Sequence, residues 1–349
     1  MKKRKVVIAV TGLNAIDNPG PGISVIRALK ASKRFDCRII GLSYESLEPG
    51  IYMHDLVDKT YQIPLPSAGI ESLKTRMAYI CSMEHPDVII PNFDSELFNF
   101  IKISDALKSE LGIHSFLPTL EQFESRQKNN LQAFGKKHKV TVPLTRILNS
   151  LQDIAALKPA LNYPLMIKGK FYDASIVYSP DQAAVAFNRI ASKWGLPVLA
   201  QEFVDGLELN VTALGDGEGN TLGAVAMRKQ YVTDKGKAWS GISISDEKLM
   251  KLTRQIIKGT RWRGAMELEL IKHSEKGYCL LEINPRFPAW VYLAVGCGQN
   301  HPEALVQLAL GEKVPEFDSY DVGKLFIRYS YDMIVDLKEF EAISTSGEL

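Results

Sequence analysis

Cysteine is scarce: four residues in a chain of 349, at Cys37, Cys81, Cys279 and Cys297. The scattered spacing offers no CxxC motif. Cys37 and Cys279 fall in strand-like runs and are expected as buried, reduced thiols. Six histidines never recur at metal-ligand spacing, and His273 and His301 read as loop residues. A net charge of only +2 removes any global case for nucleic-acid or polybasic membrane binding. No apolar run approaches a membrane span. The basic start MKKRK precedes a short apolar run, 6–10, without the length or cleavage site of a secretory signal. It reads as a first strand, and the expected setting is the cytoplasm. Internal repeats and low-complexity segments are absent, and no Ser-His-Asp arrangement suggests itself.

What remains is ordinary globular composition, 46% hydrophobic and 23% charged, long enough for two or three domains. Strand 5–11, the Gly-rich loop GLNAIDNPGPG and a helical pattern over 23–29 make a doubly wound α/β start. Gly12, Gly20 and Gly22 do not spell GxGxxG, so the loop reads as a turn or a close substrate approach. Strands over 36–41, 61–64 and 87–91 and helices over 73–84 and 96–111 complete an α/β domain of residues 1–115. Asn92, Asp94 and Glu96 follow a strand C-terminus, where open sheets place ligand loops, although loop acids are usually just solvated. From there to 345 the pattern is α+β with much antiparallel sheet. A helix is expected over 119–137, a strand over 165–170, and a helix from Pro180 to Trp194 with Ser179 as cap. Strands 197–204 and 207–215 flank Asp205-Gly206, and strand 222–232 leads to a polar loop, 233–240. The last strand is expected over 325–333.

The densest chemistry lies in 264–286, GAMELELIKHSEKGYCLLEINPR. Met266, Leu268 and Leu270 alternate with Glu267 and Glu269, and Cys279, Leu281 and Ile283 with Glu282 and Asn284. Period-2 alternation around a polar turn predicts a hairpin with one oily face and one face of carboxylates and an amide. Oxygen ligands converging from adjacent strands suit a hard cation such as Mg2+, and the trailing Arg286 suits a phosphate. A solvated edge face fits the alternation equally well.

Lys128, Lys168, the run QEFVDGLE, Glu269 and EINPR follow the order found in ATP-grasp ligases. The chain resembles the branch of the carbamoyl-phosphate synthase large chain and the single-chain amino-acid ligases. The resemblance implies a Rossmann-like N-terminal domain over 1–115, followed by an α+β ATP-grasp fold of two subdomains, 116–200 and 201–345. It implies ATP and Mg2+, or Mn2+, as cofactors. Glu269, Glu282 and Asn284 resemble the metal ligands, with Glu267 on the same face as the alternative to Glu269. Arg286 resembles the group that contacts phosphate or acyl-phosphate oxygens. Lys128 and Lys168 resemble the ATP-phosphate lysines, and Lys170 stands close enough to share or take that role. Glu202, Phe203 and Val204 resemble the hinge whose backbone meets adenine, and Glu208 the ribose acceptor. Arg228 and Lys229 are expected to hold a substrate carboxylate or the γ-phosphate.

The implied activity is ATP-dependent carboxylate–amine ligation through an acyl phosphate, releasing ADP and phosphate. The partners would be small-molecule or peptide carboxylates and amines, and a homodimer is compatible with the reading. ATP brings about four negative charges that lysines and a cation must neutralise, so the residue types suit the chemistry independently. The sequence departs from the family pattern in three places. Gln127 stands where Asp usually precedes the first lysine. GKFYDAS replaces the Gly/Ser-rich phosphate loop, and Gly169 and the TDKGK segment with Gly236 are the expected mobile covers. Phe287, Trp290 and Tyr292 follow EINPR, either walling an apolar substrate or packing the loop. A non-catalytic ATP-binding regulator and an ATP-grasp kinase are the rival readings. Trp194, Trp239 and Trp262 read as packing residues.

Overall fold

The computed structural model describes residues 3–15, 18–169, 173–234 and 236–349. Lys170 therefore lies outside the described residues. In chain order the first elements are β1 (Arg4–Val10), α1 (Pro21–Lys30), β2 (Phe35–Ser43), β3 (Lys59–Gln62), α2 (Ile70–Glu84), β4 (Val88–Ile90) and α3 (Asp94–Leu111). The strands pair in parallel in the order β3-β2-β1-β4. Continuous apolar runs in β1 and β4 are what a sheet covered on both faces requires. Val6, Ile8 and Val10 pack with Val25, Ile26 and Leu29 of α1. Ala9, Ile40 and Ile89 pack with Met77 and Ile80 of α2 and Phe100 of α3. Helix α1 starts against the end of β1: the Gly22 N–H donates to the Gly12 carbonyl at 2.9 Å. A Cβ on Gly22 would stand 2.1 Å from the Thr11 carbonyl oxygen, so the approach demands glycine.

Next come α4 (Leu120–Ser125), α5 (Leu131–His138), β5 (Thr145–Leu148), α6 (Gln152–Ala155), β6 (Leu165–Gly169), β7 (Ala174–Val177), α7 (Pro180–Trp194) and β8 (Val198–Glu202). The single helix expected over 119–137 is broken at 126–130. Gln127 N donates to Glu124 O and Asn130 N to Gln127 O, tight turns that suit a polar stretch containing two asparagines. Ser179 caps α7, its hydroxyl accepting from Gln182 N at 3.2 Å. The sheet order is β5-β8-β6-β7, with every pairing antiparallel.

The remainder is β9 (Leu207–Asp216), β10 (Thr221–Val232), β11 (Ala238–Ser243), α8 (Glu247–Thr260), β12 (Arg263–His273), β13 (Gly277–Asn284), α9 (Tyr292–Gly296), α10 (His301–Ala309), β14 (Leu325–Ile327) and α11 (Leu337–Ser346). A six-stranded sheet runs β13-β12-β9-β10-β11-β14. The expected hairpin is present as β12 and β13. The polar loop expected over 233–240 ends sooner, because β11 begins at Ala238 and pairs with β10. The last strand stops at Ile327 instead of Met333. His301, expected in a loop, is fully buried in the first turn of α10. Trp262 is fully buried, and all four cysteines are free thiols, three of them buried.

The chain divides into two compact units. One comprises Met1–Phe123, Val211–Glu267 and Asn284–Leu349; the other comprises Glu124–Asn210 and Leu268–Ile283. The second has its own core, in which Leu148, Ile167, Ile190, Val198 and Ala200 pack together.

Candidate functional site

In the unit built on Glu124–Asn210 and Leu268–Ile283, β6 turns Leu165, Ile167 and Gly169 inward and leaves Met166 and Lys168 half-buried. The Lys168 Nζ donates to Gln201 Oε1 on neighbouring β8 at 2.7 Å, and Gln201 Nε2 donates to the Thr145 hydroxyl. Burial, reinforced by the positive charge of Lys128, pushes the Lys168 ammonium down to about 8 against the opposing fields of Glu282, Glu269 and Glu208. Four charged residues therefore act on one lysine. Lys128 Nζ stands 3.6 Å from Glu282 Oε1. Lys128 does not sit on a helix, as expected, but in the turn between α4 and α5.

Among the described residues no three His, Cys, Asp or Glu side chains group as a metal site. The expected ligand set contains only two carboxylates, Glu269 and Glu282, with the amide of Asn284. That set fits Mg2+ only where substrate phosphates complete the shell, which is how Mg2+ is usually held.

Glu202 ends β8. Its backbone N–H donates to Leu144 O at 2.8 Å, and its carboxylate accepts from Leu144 N at 3.2 Å. Burial raises the Glu202 carboxyl, but the hydrogen bond from Lys276 and that of Leu144 outweigh it and hold it below the usual range. The Glu202 side chain thus serves a structural ion pair with Lys276. Val204 is buried and Glu208 is exposed.

In the other unit Arg286 is held at two edges. Its Nε donates to Asp94 Oδ2 at 3.0 Å and its Nη1 to Glu267 Oε2 at 3.1 Å. Asp94 and Glu96, read from sequence as acids beyond a strand end and of a kind usually just solvated, are both held by donors, Asp94 half-buried and Glu96 buried. They stand in the first turn of α3, and Glu96 is only 1% exposed, accepting from the Thr11 and Tyr44 hydroxyls and the Asn92 and Phe93 N–H groups. Glu267, placed by alternation on the carboxylate face, is likewise buried. Asn284 Nδ2 and Trp290 Nε1 donate to it at 3.1 and 2.7 Å. Arg328 was invisible to motif reasoning. Its Nε donates to Ala238 O, and burial pushes it down to about 10 while Glu267 draws it upward. An arginine inside the apolar strand pattern LFIRYSY was the one available signal.

Arg228 and Lys229 are consecutive in β10 and point to opposite faces, so they cannot both face one cleft. Arg228 is exposed, and Lys229 Nζ donates to Gly236 O at 3.2 Å, tying down its own loop. The aromatic segment after EINPR packs inward: Phe287 and Trp290 are buried, and Tyr292 lies under the Arg27 guanidinium, 4.1 Å from ring centroid.

Residues 196–325 match the family model described as ATP-grasp in the biosynthetic pathway with Ter operon. The solved structure of N5-carboxyaminoimidazole ribonucleotide synthetase in complex with ADP superposes with a TM-score of 0.69 at 12% identity, covering 93% of this chain and 81% of that one. The fold is the ATP-grasp fold. A second ATP-grasp likeness is the biotin carboxylase domain dimer of Hydrogenobacter thermophilus 2-oxoglutarate carboxylase, in complex with MgADP, ADP and bicarbonate. Its TM-score is 0.68 at 16% identity, covering 91% of this chain and 73% of that one. L-amino acid ligase from Bacillus licheniformis gives 0.63 at 16%, covering 88% and 75%. In sequence, the carbamoyl phosphate synthase large chain of Clostridium botulinum (strain Kyoto / Type A2) is 22% identical over 346 residues and covers 92% of this chain. The chain spans 30% of that relative's length. The family-matched stretch of the ATP-grasp fold holds Glu202, Glu208, Glu269, Glu282, Asn284 and Arg286; Lys128 and Lys168 precede it. Among the described residues no helix is long and apolar enough to cross a membrane.

Proposed function

We propose that the chain is an ATP- and Mg2+-dependent carboxylate–amine ligase that works through an acyl phosphate. The observation that carries the reading is the Lys168 site: a lysine inside a strand, in the field of Lys128, Glu269, Glu282 and Glu208. An ammonium depressed to about 8 by burial is costly unless an anion joins it, and nucleotide phosphate is the anion that the ATP-grasp fold supplies. Glu269, Glu282 and Asn284 would hold Mg2+, or Mn2+ in its place. The cation, when bound, offsets phosphate charge. Lys128 and Lys168 bind the phosphates, with Lys170 as the further candidate; the backbone of 202–204 meets adenine and Glu208 a ribose hydroxyl. Arg286, which pairs with Asp94 and Glu267, is the group assigned to the transferring phosphoryl oxygens. Arg228 is left for the substrate carboxylate, and Lys229 steadies the covering loop.

The reaction balances in two displacements. A carboxylate oxygen of the acid attacks the γ-phosphorus of ATP, the bond to the β-phosphate oxygen breaks, and ADP leaves. The free-base amine then attacks the acyl carbon, the carbon–oxygen bond to phosphate breaks, and phosphate leaves with an amide as product and one proton released. The substrates are small-molecule or peptide acids and amines, the setting is the cytoplasm, and neither nucleic acid nor membrane takes part.

A phosphate-release screen of acid–amine pairs, with product masses measured, tests this. Ligation gives a product one water lighter than its two substrates. A kinase gives a substrate heavier by one phosphoryl group. ATP binding without turnover across the screen would favour the regulator. In the same assay Glu282→Gln is expected to lower turnover by about 100-fold, a size typical for lost support of transition-state charge. Unchanged turnover would remove Glu282 from the metal set.

A further inference from the structure

We infer that Glu267 is a positioning residue that sets the orientation of Asn284 and Arg286, and that it is not a metal ligand. The inference deepens the ligase reading and rests on it. Two glutamates, 267 and 269, alternate on one strand, and sequence alone assigns the cation to either. Their surroundings separate them. Glu267 is 5% exposed, and Asn284, which contacts it, is 3% exposed. A carboxylate at that depth requires donors, and three different side chains donate to Glu267. Trp290 Nε1 donates to Oε1 at 2.7 Å, while Asn284 Nδ2 and Arg286 Nη1 both donate to Oε2 at 3.1 Å. Trp290 is itself set in the core with Val225, Met227 and Leu293. The carboxylate is thus pinned inward by an indole that cannot move without opening that core.

The geometry has a consequence for each partner. An amide has one oxygen and one nitrogen, so committing Nδ2 of Asn284 to Glu267 turns Oδ1 to the opposite side. Oδ1 is the atom of the amide that a hard cation would take. Were the amide rotated, its nitrogen would face the cation and repel it. Arg286 is fixed likewise: Glu267 takes Nη1 and Asp94 takes Nε, so the guanidinium plane is defined at two points. Glu269 is only half-buried, and its charge acts on Lys168. The division of labour follows: Glu269 for the cation, Glu267 for the groups beside it.

A donor–acceptor swap tests the assignment. Mn2+–ATP affinity, read by the paramagnetic resonance of free Mn2+, and the urea midpoint are measured for wild type, Glu267→Gln, Asn284→Asp and the double variant. Each single change is expected to weaken Mn2+–ATP by about tenfold, the usual loss when a partner of a metal ligand is altered. Asn284→Asp sets two carboxylates against each other, and Glu267→Gln removes the charge that holds the amide. The double variant restores a donor–acceptor pair with the roles exchanged, and is expected to bind at least about tenfold more tightly than independent losses allow. Additive losses overturn the inference, as does a Glu267→Gln protein with affinity within about twofold of wild type. A wild type that fails to bind Mn2+–ATP overturns the ligase reading instead. In that event coupling in the urea midpoints still supports the side-chain assignment, and its absence overturns it.

Discussion

At the scale of single residues, the chemistry turns on where charges are buried. Lys168 gives up its proton near pH 8 in the free protein because burial and Lys128 disfavour the ammonium. A bound phosphate favours the ammonium and raises that value. ATP binding at pH 8.5 should therefore take up a proton, and affinity should fall as pH rises above about 8. Calorimetry in two buffers of different ionisation enthalpy measures the uptake, and Lys168→Gln should abolish it. Absence of uptake in the wild type would place the phosphates elsewhere. Glu48 is a second case. It is 5% exposed, and burial pushes its carboxyl up to about 7 despite N–H donors from Tyr44 and Glu45. The folded state then holds a proton that the unfolded state has lost between pH 4.5 and 7, so the wild type loses stability as pH rises through that window. Glu48→Gln should remove that slope, gaining on the order of 3 kcal/mol relative to wild type between pH 4.5 and 7.5 in urea unfolding. The residue types at the site were legible in the sequence, because strand alternation and motif order do not need coordinates. Burial was not. Glu96 and Asp94 read as acids usually just solvated, and Glu267 as a candidate on the carboxylate face, because nothing local reveals the hydroxyl, guanidinium and indole donors brought from distant segments.

At the scale of elements, local signals succeeded where propensity and burial agreed. The hairpin of β12 and β13 and the Ser179 cap of α7 are of this kind. They failed where a short polar stretch was asked to continue a helix, at 126–130, and where a strand such as β11 draws its pairing from β10 and β14. The start of α1 makes a sharp prediction. Gly22→Ala would drive a methyl to 2.1 Å from the Thr11 oxygen and 2.6 Å from the Gly12 oxygen, both backbone atoms that cannot rotate aside. The cost should be about 1–3 kcal/mol, the range for overpacking, seen as a lower urea midpoint with unchanged slope. A midpoint equal to that of wild type would mean that the loop over Gly12 yields freely.

At the scale of the whole molecule, each compact unit is assembled from separate stretches of chain. Lys128, Lys168, Glu202, Glu208, Glu269 and Glu282 all belong to the same unit, although more than 150 residues separate the first from the last. Nucleotide binding should therefore stabilise that unit most directly. With MgADP at 100 times its dissociation constant, the gain should approach about 2.7 kcal/mol. Amide hydrogen exchange should show the added protection concentrated in β6 and β8, the strands that carry Lys168, Gln201 and Glu202. Protection confined to β1, α1 and the loop between them would relocate the nucleotide to the Gly-rich start.

The sequence by itself determined the alternation of the acidic hairpin, the covered parallel sheet of the first four strands and the order of the lysines, the QEFVDGLE run and the acidic motifs. These depend on side-chain period and residue type along a few neighbouring positions. Only the tertiary structure decided which acid faces inward, that Arg286 is clamped between Asp94 and Glu267, and that Lys128 comes within 3.6 Å of Glu282. Those facts depend on distances between segments far apart in the chain, and burial sets the strength of every charge among them.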